Sequence, residues 1–405
     1  MAQINTAATL DGLYKKVYGP KGPIIALPET SILQELVPFS TAKRIGKSYN
    51  VPIVVADEHG FSYGLADETI TLNTEIAATL KEISVDGAQI VGQASLNYDA
   101  ASRATEGGEA AFMDSGHLIV QNLNTSASKK LEASLLYGRK GIGTVSSLSS
   151  QDIVLTAASW ADGLMMSMIN CQIDVYQSDN STLRQGNLVV TAVNSSTYTL
   201  TVTGTTTGIV AGDLVYFDGA NGKECYGLDA IMTNTGSMFG ISAATYPIWS
   251  ASSYACGSAP LTMSKVLAGA TQATVRGGLN GEAVLLVHPS SWNNLNTDQA
   301  ALRQYTSDSG KATNGFEEIV YRSANGRIKV ISHPCVKRGE AFLFDPKTLK
   351  RIGSQDISNM TPGKGGEIFQ HSSTASAYFI RVYSNQAIFC ERPATMVKFT
   401  GIVPN

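Results

Sequence analysis

The residues able to do chemistry are few and far apart. Five histidines, His59, His117, His288, His333 and His371, are scattered along the chain, and none falls in an H-E-x-x-H arrangement that would hold zinc beside a general base. His288 and His333 each precede a proline, which fits a turn at a strand end better than a proton-transfer site. No G-x-S-x-G elbow is present to present a serine nucleophile. Asp57-Glu58 and Asp67-Glu68 are acidic pairs of the type calcium uses, but the alternating D-x-D-x-D-G pattern of a calcium loop is missing. They read as solvated or intersubunit charge. In TPGKGGE, Gly363, Gly365 and Gly366 surround Lys364 without the spacing of a phosphate cradle, so a plain loop is expected. Cys171, Cys225, Cys256, Cys335 and Cys390 are scattered and include no C-x-x-C. Neither a disulfide framework nor a zinc site is expected, and the thiols read as reduced. These patterns assign no catalytic residue, no metal and no cofactor.

The elements that might position such residues are therefore the stronger signal. The chain has 405 residues, 43% hydrophobic and 16% charged, enough for two or three domains with real cores. A net charge of −3 gives no overall basic character, so contact with DNA would be local, weak and non-specific. The start, MAQINTAATLDGLYKK, has no apolar signal core. No later stretch reaches the ~20 apolar residues of a membrane span. A soluble chain made in the cytoplasm is expected.

Residues 109–140 dominate the pattern. Phe112, Gly116, Val120, Leu123, Ala127, Leu131, Leu135 and Gly138 recur at steps of three or four, which is one face of a helix. Such a helix would be roughly 45 Å long and would lie across a sheet. Lys129, Lys130, Glu132 and Arg139 fall off the stripe and are expected to meet water.

Residues 1–47 are broken by Gly19-Pro20, Gly22-Pro23, Pro28 and Pro38 yet carry Ile24, Ile25 and Leu27. They read as an extended arm that needs a surface, with one short helix at 29–36. Residues 48–56 form a strand, with Pro52 marking an edge, and 80–96 supply a second. Between them the polar, Gly-dotted stretch 57–74 reads as the tip of a long two-stranded projection. An isolated ribbon is marginal in water, so it too needs a partner surface.

A second helix is expected from 157 to about 169, burying Trp160, Leu164, Met165, Met168 and Ile169. Residues 180–227 alternate as a small β unit, too small to build much core alone and best seen as an insertion. A helix follows over 261–276. Residues 283–287 form a central strand buried on both faces and stopped by His288-Pro289, and a further helix starts through Trp292. Short strands close the chain, the last two flanking Ser384-Asn385.

Taken in order, arm, projection, long helix and α/β segments with a β insertion resemble the major capsid protein of tailed bacteriophages of the Hong Kong type. The pieces that carry the resemblance are EASLLYGRKGIG, TGIVAGDLVYFDGANG and AVLLVHPSSWNNL followed by GRIKVISHPCVKRGEAFLFDPKTLKRIG. The resemblance implies an α+β fold with an N-terminal arm (1–47) and an extended β-hairpin, the E-loop (48–96). A P domain (97–150) is built on the spine helix 109–140. The A domain comes in two parts (151–179 and 228–340) around the inserted β domain (180–227), and the C-terminal strands (341–405) return to the P domain. It implies a non-enzymatic subunit that assembles with itself into the hexamers and pentamers of an icosahedral head around phage dsDNA. The implied place is the virion, after synthesis in the host bacterial cytoplasm and with no membrane. Lacking a long N-terminal coiled coil, the chain is expected to use a separate scaffolding protein; portal and decoration proteins are further implied partners. Intersubunit contact is expected at Ile24, Ile25, Leu27, Asp57, Glu58, Phe61, Tyr63, Asp67, Glu68 and Lys81. Some relatives cross-link through a lysine, but nothing assigns Lys81 that role. Two other classes stay open: another β-rich virion protein, such as a tail or fibre subunit, and a hydrolase with a β accessory module.

Overall fold

A computed structural model describes residues 31–40, 48–97, 115–298, 319–324, 326–359, 368–371 and 376–403. Ile24, Ile25 and Leu27, with most of the expected arm, lie outside the described residues. The chain divides into two units, one of Met1–Pro28, Gly92–Thr125 and Asn359–Val382, the other of Glu29–Val91, Ser126–Ser358 and Tyr383–Asn405.

The larger unit is built on a six-stranded sheet in the order Ser252–Ala259, Val397–Ile402, Ala341–Phe344, Gly281–Val287, Gly326–Ser332, Ile319–Ser323. Its central strand Gly281–Val287 is buried over its last five residues, as a continuous apolar run on both faces requires. It pairs parallel with Gly326–Ser332, Val287 opposite Ser332, and antiparallel with Ala341–Phe344. Helix Met263–Gly277 covers the sheet through Val266, Ala270 and Ala273, and ends on Gly278 in the left-handed conformation.

The spine helix is described from Ser115 to Tyr137, about 35 Å at 1.5 Å per residue. Its expected start at 109 lies outside the described residues. Its C-terminal turn is buried all round: Leu131, Ala133, Leu135, Leu136 and Tyr137 are each at most 2% exposed. The helix stops where Gly138 meets Gly227, whose N–H donates to Gly138 O at 3.1 Å. A Cβ on Gly138 would stand 2.2 Å from Cys225 O, so the crossing demands glycine.

The β unit closes into a barrel ordered Gly143–Ser149, Asp152–Leu155, Thr199–Thr203, Leu183–Asn194, Gln172–Tyr176, Leu214–Phe217. Half of its strands precede residue 180, and this answers the problem of core size. Val145, Ile153, Leu155, Ile173 and Val175 join Leu188, Val190, Leu200, Val202 and Val215 in one buried interior. A bulge after Val190 turns Ala192 outward and shifts the alternation by one residue.

Three local expectations change. The helix foreseen over 157–169 is a 3₁₀ turn Ala157–Ser159 and a single turn Asp162–Met165; Trp160 and Met168 are buried but Ile169 is exposed. The stretch 80–96 is two strands, Thr79–Val85 and Ala88–Asn97, separated at Asp86-Gly87. The last two strands are one, Ala377–Cys390.

In the smaller unit, Arg381 Nε donates to Gln93 Oε1 at 3.0 Å, and Gly92 lies against Val382 and Leu123. Among the described residues no helix is long and apolar enough to cross a membrane.

Candidate assembly surface

The projection is a ribbon of Tyr49–Ala56 and Thr79–Val85, antiparallel with Val51 opposite Ile83 and Val54 opposite Leu80. Its base is anchored. Ile83 and Val85 are fully buried, Tyr49 stacks 5.7 Å from Phe389, and Ser84 N donates to Phe239 O at 3.0 Å. Further out the anchoring ends. Val54 and Leu80, directly opposite each other, are 57% and 62% exposed.

The tip is tied together by polar bonds within the loop. His59 and Ile76 exchange both backbone bonds, at 2.9 and 2.7 Å. Asn73 Nδ2 donates to Phe61 O at 2.8 Å, and Asn73 N to Ser62 Oγ at 2.6 Å. Glu68 accepts from Leu65 N at 3.2 Å around a turn in which Asp67 has φ +68°. This scaffold presents Phe61, Tyr63, Leu65 and Leu72 at 69 to 91% exposure. Asp57, Glu58, Asp67 and Glu68 are exposed beside them. Isolated surface apolar residues are ordinary; four on one loop make the tip a candidate contact surface. Lys81 stands apart: it is at the ribbon, its Nζ 6.0 Å from the Tyr246 ring of its own chain.

Glu132 is fully buried, contrary to its expected place in water. Its carboxylate accepts from Leu33 N at 2.5 Å, Gln34 N at 3.2 Å, Gln34 Nε2 at 2.9 Å and His333 Nε2 at 2.8 Å. Leu33 and Gln34 open the short helix Ile32–Leu36, whose first N–H groups have no partner within the helix. Glu132 thus caps a helix from another element. It also neutralises, by hydrogen bonding, the cost of burying its own charge.

His333 and His288 leave the paired parallel strands at the same level, His333 N donating to Val287 O at 2.8 Å. Each ring folds back so that Nδ1 accepts an N–H two residues on, from Cys335 at 3.1 Å and from Ser290 at 3.2 Å. Each then turns Nε2 to a carboxylate, that of Glu132 or of Asp162.

Around His288 the structure assembles an Asp–His–Ser line that no local motif announces. Asp162 Oδ2 is 3.0 Å from Nε2, and Ser290 Oγ is 2.6 Å from Nδ1. It differs from a nucleophilic triad in two respects. The ring nitrogen facing Ser290 Oγ also holds the first turn of helix Pro289–Thr297, so it is engaged as a cap. Asp162 Oδ2 also accepts from Arg338 Nε at 2.9 Å and Nη2 at 2.8 Å, and its charge is matched by that guanidinium. Partial burial alone would raise this carboxyl. Hydrogen bonds from His288, Arg338 and Trp160 outweigh burial and hold it well below the usual carboxylate range. The arrangement is a structural tie.

A second buried cluster joins Lys398 to Asp229 at 2.5 Å and to Glu340 at 2.8 Å. Burial works against the Lys398 charge, but Glu340 and Asp229 prevail and hold it above the ordinary lysine value. Lys337 beside it donates to Gly141 O at 2.9 Å and lies 4.1 Å over the Tyr137 ring; there burial dominates and lowers its value. Among the described residues no group of three or more His, Cys, Asp and Glu could hold a metal.

Together, the anchored projection, spine helix, central sheet and C-terminal strands define the Hong Kong 97-like capsid fold, of the α+β class. A capsid chain of cyanophage A-1(L) shares it at TM-score 0.55 and 15% identity, over 98% of this chain and 99% of that one. Two further similar structures are the capsid of an empty GTA particle (TM-score 0.49, 9% identity, 99% and 100% covered) and the SrpI encapsulin of Synechococcus elongatus PCC 7942 (0.45, 9%, 99% and 96%). No protein-family model and no curated protein sequence matches the chain.

Proposed function

We propose that this chain is the major capsid protein of a tailed bacteriophage, self-assembling into hexamers and pentamers of an icosahedral head around dsDNA. The observation that carries this reading is the projection: a ribbon whose base is buried through Ile83 and Val85, ending in a tip of exposed apolar side chains. Such a surface is stable when it is covered, and a neighbouring copy covers it in a shell. Arm and projection together can bury several thousand Å² per subunit, the range of obligate interfaces. Contacts of this head-to-tail kind close into rings.

In this reading residues 1–47 act as the arm, 48–96 as the E-loop, 97–150 as the P domain, and 151–179 with 228–340 as the A domain. The β insertion of 180–227 completes the barrel, and 341–405 return to the P domain. Phe61, Tyr63, Asp57, Glu58, Asp67 and Glu68 contact a neighbouring subunit, and Ile24, Ile25, Leu27 and Lys81 are assigned the same role. The protein is a structural component of the virion, made in the host cytoplasm. It works with a separate scaffolding protein and a portal, accepts decoration proteins, and meets packaged DNA through weak non-specific contacts.

Negative-stain electron microscopy of the chain alone and with a scaffolding protein tests the reading. Shells, or free hexamers and pentamers, are expected. Fibres or tubes would favour a tail subunit, and a monomer under every condition would overturn assembly altogether.

A further inference from the structure

Lys398 meets two carboxylates in the interior of the larger unit. It stands on strand Val397–Ile402, 6% exposed and opposite Phe342 of the neighbouring strand. Its Nζ lies 2.5 Å from Asp229 Oδ1 and 2.8 Å from Glu340 Oε1. Asp229 belongs to the short helix Leu228–Met232, all five of whose residues are buried, and Glu340 directly precedes strand Ala341–Phe344. Glu340 Oε2 is also buried and has no hydrogen-bond partner among the described residues. The Phe342 ring, 5.9 Å from Nζ, helps to keep water away. Lys337, buried nearby, donates instead to the Gly141 carbonyl, so Lys398 is the amine in place. One buried site thus holds a nucleophile, a carboxyl carbon next to its hydrogen-bond partner, and a second carboxylate with an oxygen to spare. In water an amine and a carboxylate stay apart as solvated ions. In an interior both charges carry a desolvation cost that a neutral amide escapes.

We infer that Lys398 Nζ and Asp229 Cγ condense into an isopeptide bond within a single chain, with Glu340 carrying the proton. At rest Glu340 and Asp229 hold Lys398 as an ammonium, so a proton must leave before the nitrogen can attack. Glu340 accepts it and delivers it to the departing oxygen of Asp229. The freed amine attacks Asp229 Cγ; the N–C bond forms and one C–O bond of the carboxyl group breaks. Of the three ammonium protons, one stays on the amide nitrogen and two leave with that oxygen as water. The positive and the negative charge vanish together, Glu340 ends ionised as it began, and no oxidant or outside reactant is needed. The bond ties a strand of the central sheet to a helix 169 positions earlier in the chain. It lies inside one subunit and does not rest on the assembly reading.

Mass spectrometry of the purified full-length chain, held folded at neutral pH until its mass is constant, is the test. After denaturation the intact mass should lie one water below that of the sequence, and digestion should yield a branched peptide joining Lys398 to Asp229. Glu340→Gln keeps the shape of the side chain but cannot carry the proton. That variant, checked for folding by circular dichroism, should keep the full sequence mass, as should Lys398→Arg. A wild-type chain at full sequence mass overturns the inference, whatever the variants do. So does a water loss that digestion places elsewhere, such as a cyclic imide at Asp229 without a branch. A folded Glu340→Gln chain that still loses the water overturns the role given to Glu340. The mass is the same for a free subunit and for a shell, so this result and the outcome of the microscopy are read separately.

Discussion

The projection tip and the junction around Glu132 are both polar and irregular, yet they are opposites. At the junction a single carboxylate receives four donors and is fully buried. At the tip, hydrogen bonds stay within the loop itself, and the apolar side chains are exposed. The junction completes its chemistry within one chain. The tip maintains a shape whose contacts, in the proposed assembly, belong to a neighbouring copy. Stability of the subunit and stability of an assembly are therefore written into different residues, and perturbations should separate them.

Removing residues 57–74 gives the largest expected effect: assembly is lost, while the melting temperature of the free subunit stays close to that of the intact chain. Electron microscopy and calorimetry check the two halves. Next comes Lys398→Ala, which leaves Asp229 buried, and Glu340 half-buried, without this cation and should cost about 3–5 kcal/mol in chemical denaturation. Glu132→Ala strands buried donors and should cost about 1–3 kcal/mol or more, loosening residues 31–40 first; amide hydrogen exchange at Leu33 and Gln34 reads that directly.

Acidity probes the same contrast more gently. The depressed Asp162 carboxyl favours the folded state above the ordinary carboxylate range, and that contribution fades as pH drops below about 4. An Asp162→Asn variant should lose the acid-side slope. Glu224 has the opposite sign: burial, partly countered by Arg139 and Lys130, pushes it up to about 7. Its contribution is present at low pH and is lost as pH rises toward 7, so Glu224→Gln should flatten stability between about pH 5 and 7. Smallest of all is Phe61→Ser, within about 0.5 kcal/mol for the free subunit because the side chain touches little there, though it should still weaken assembly.

Much of this plan was legible in the sequence. The 3.6-residue stripe marked the spine helix, and the apolar run 283–287 marked the central strand. What escaped depended on surroundings. Glu132 lies off the stripe, and only the arrival of Leu33, Gln34 and His333 makes that side an interior. A signal was present nonetheless: around Glu132 the stretch 131–137 has no other charge and ends in Leu-Leu-Tyr, too apolar for a solvent face. The barrel was half visible. Alternation over 188–202 showed strands, but closure draws on strands from before residue 180, and no local pattern announces such a pairing. The Asp–His–Ser line joins residues 126 apart in sequence and was invisible for the same reason.

The closed barrel has a consequence for a molecule present in many copies. A strand with one unpaired side offers a row of free N–H and C=O groups to any passing chain. The ribbon Tyr49–Ala56 with Thr79–Val85 is two-stranded, so beyond the bond from Ser84 N to Phe239 O at its base it has open edges. In the barrel every strand has two neighbours, so it exposes none. Crowded side by side, identical subunits can add to one another's backbone along the ribbon and along the open edge strands Ser252–Ala259 and Ile319–Ser323 of the central sheet. The barrel, although rich in strands, is inert toward its copies.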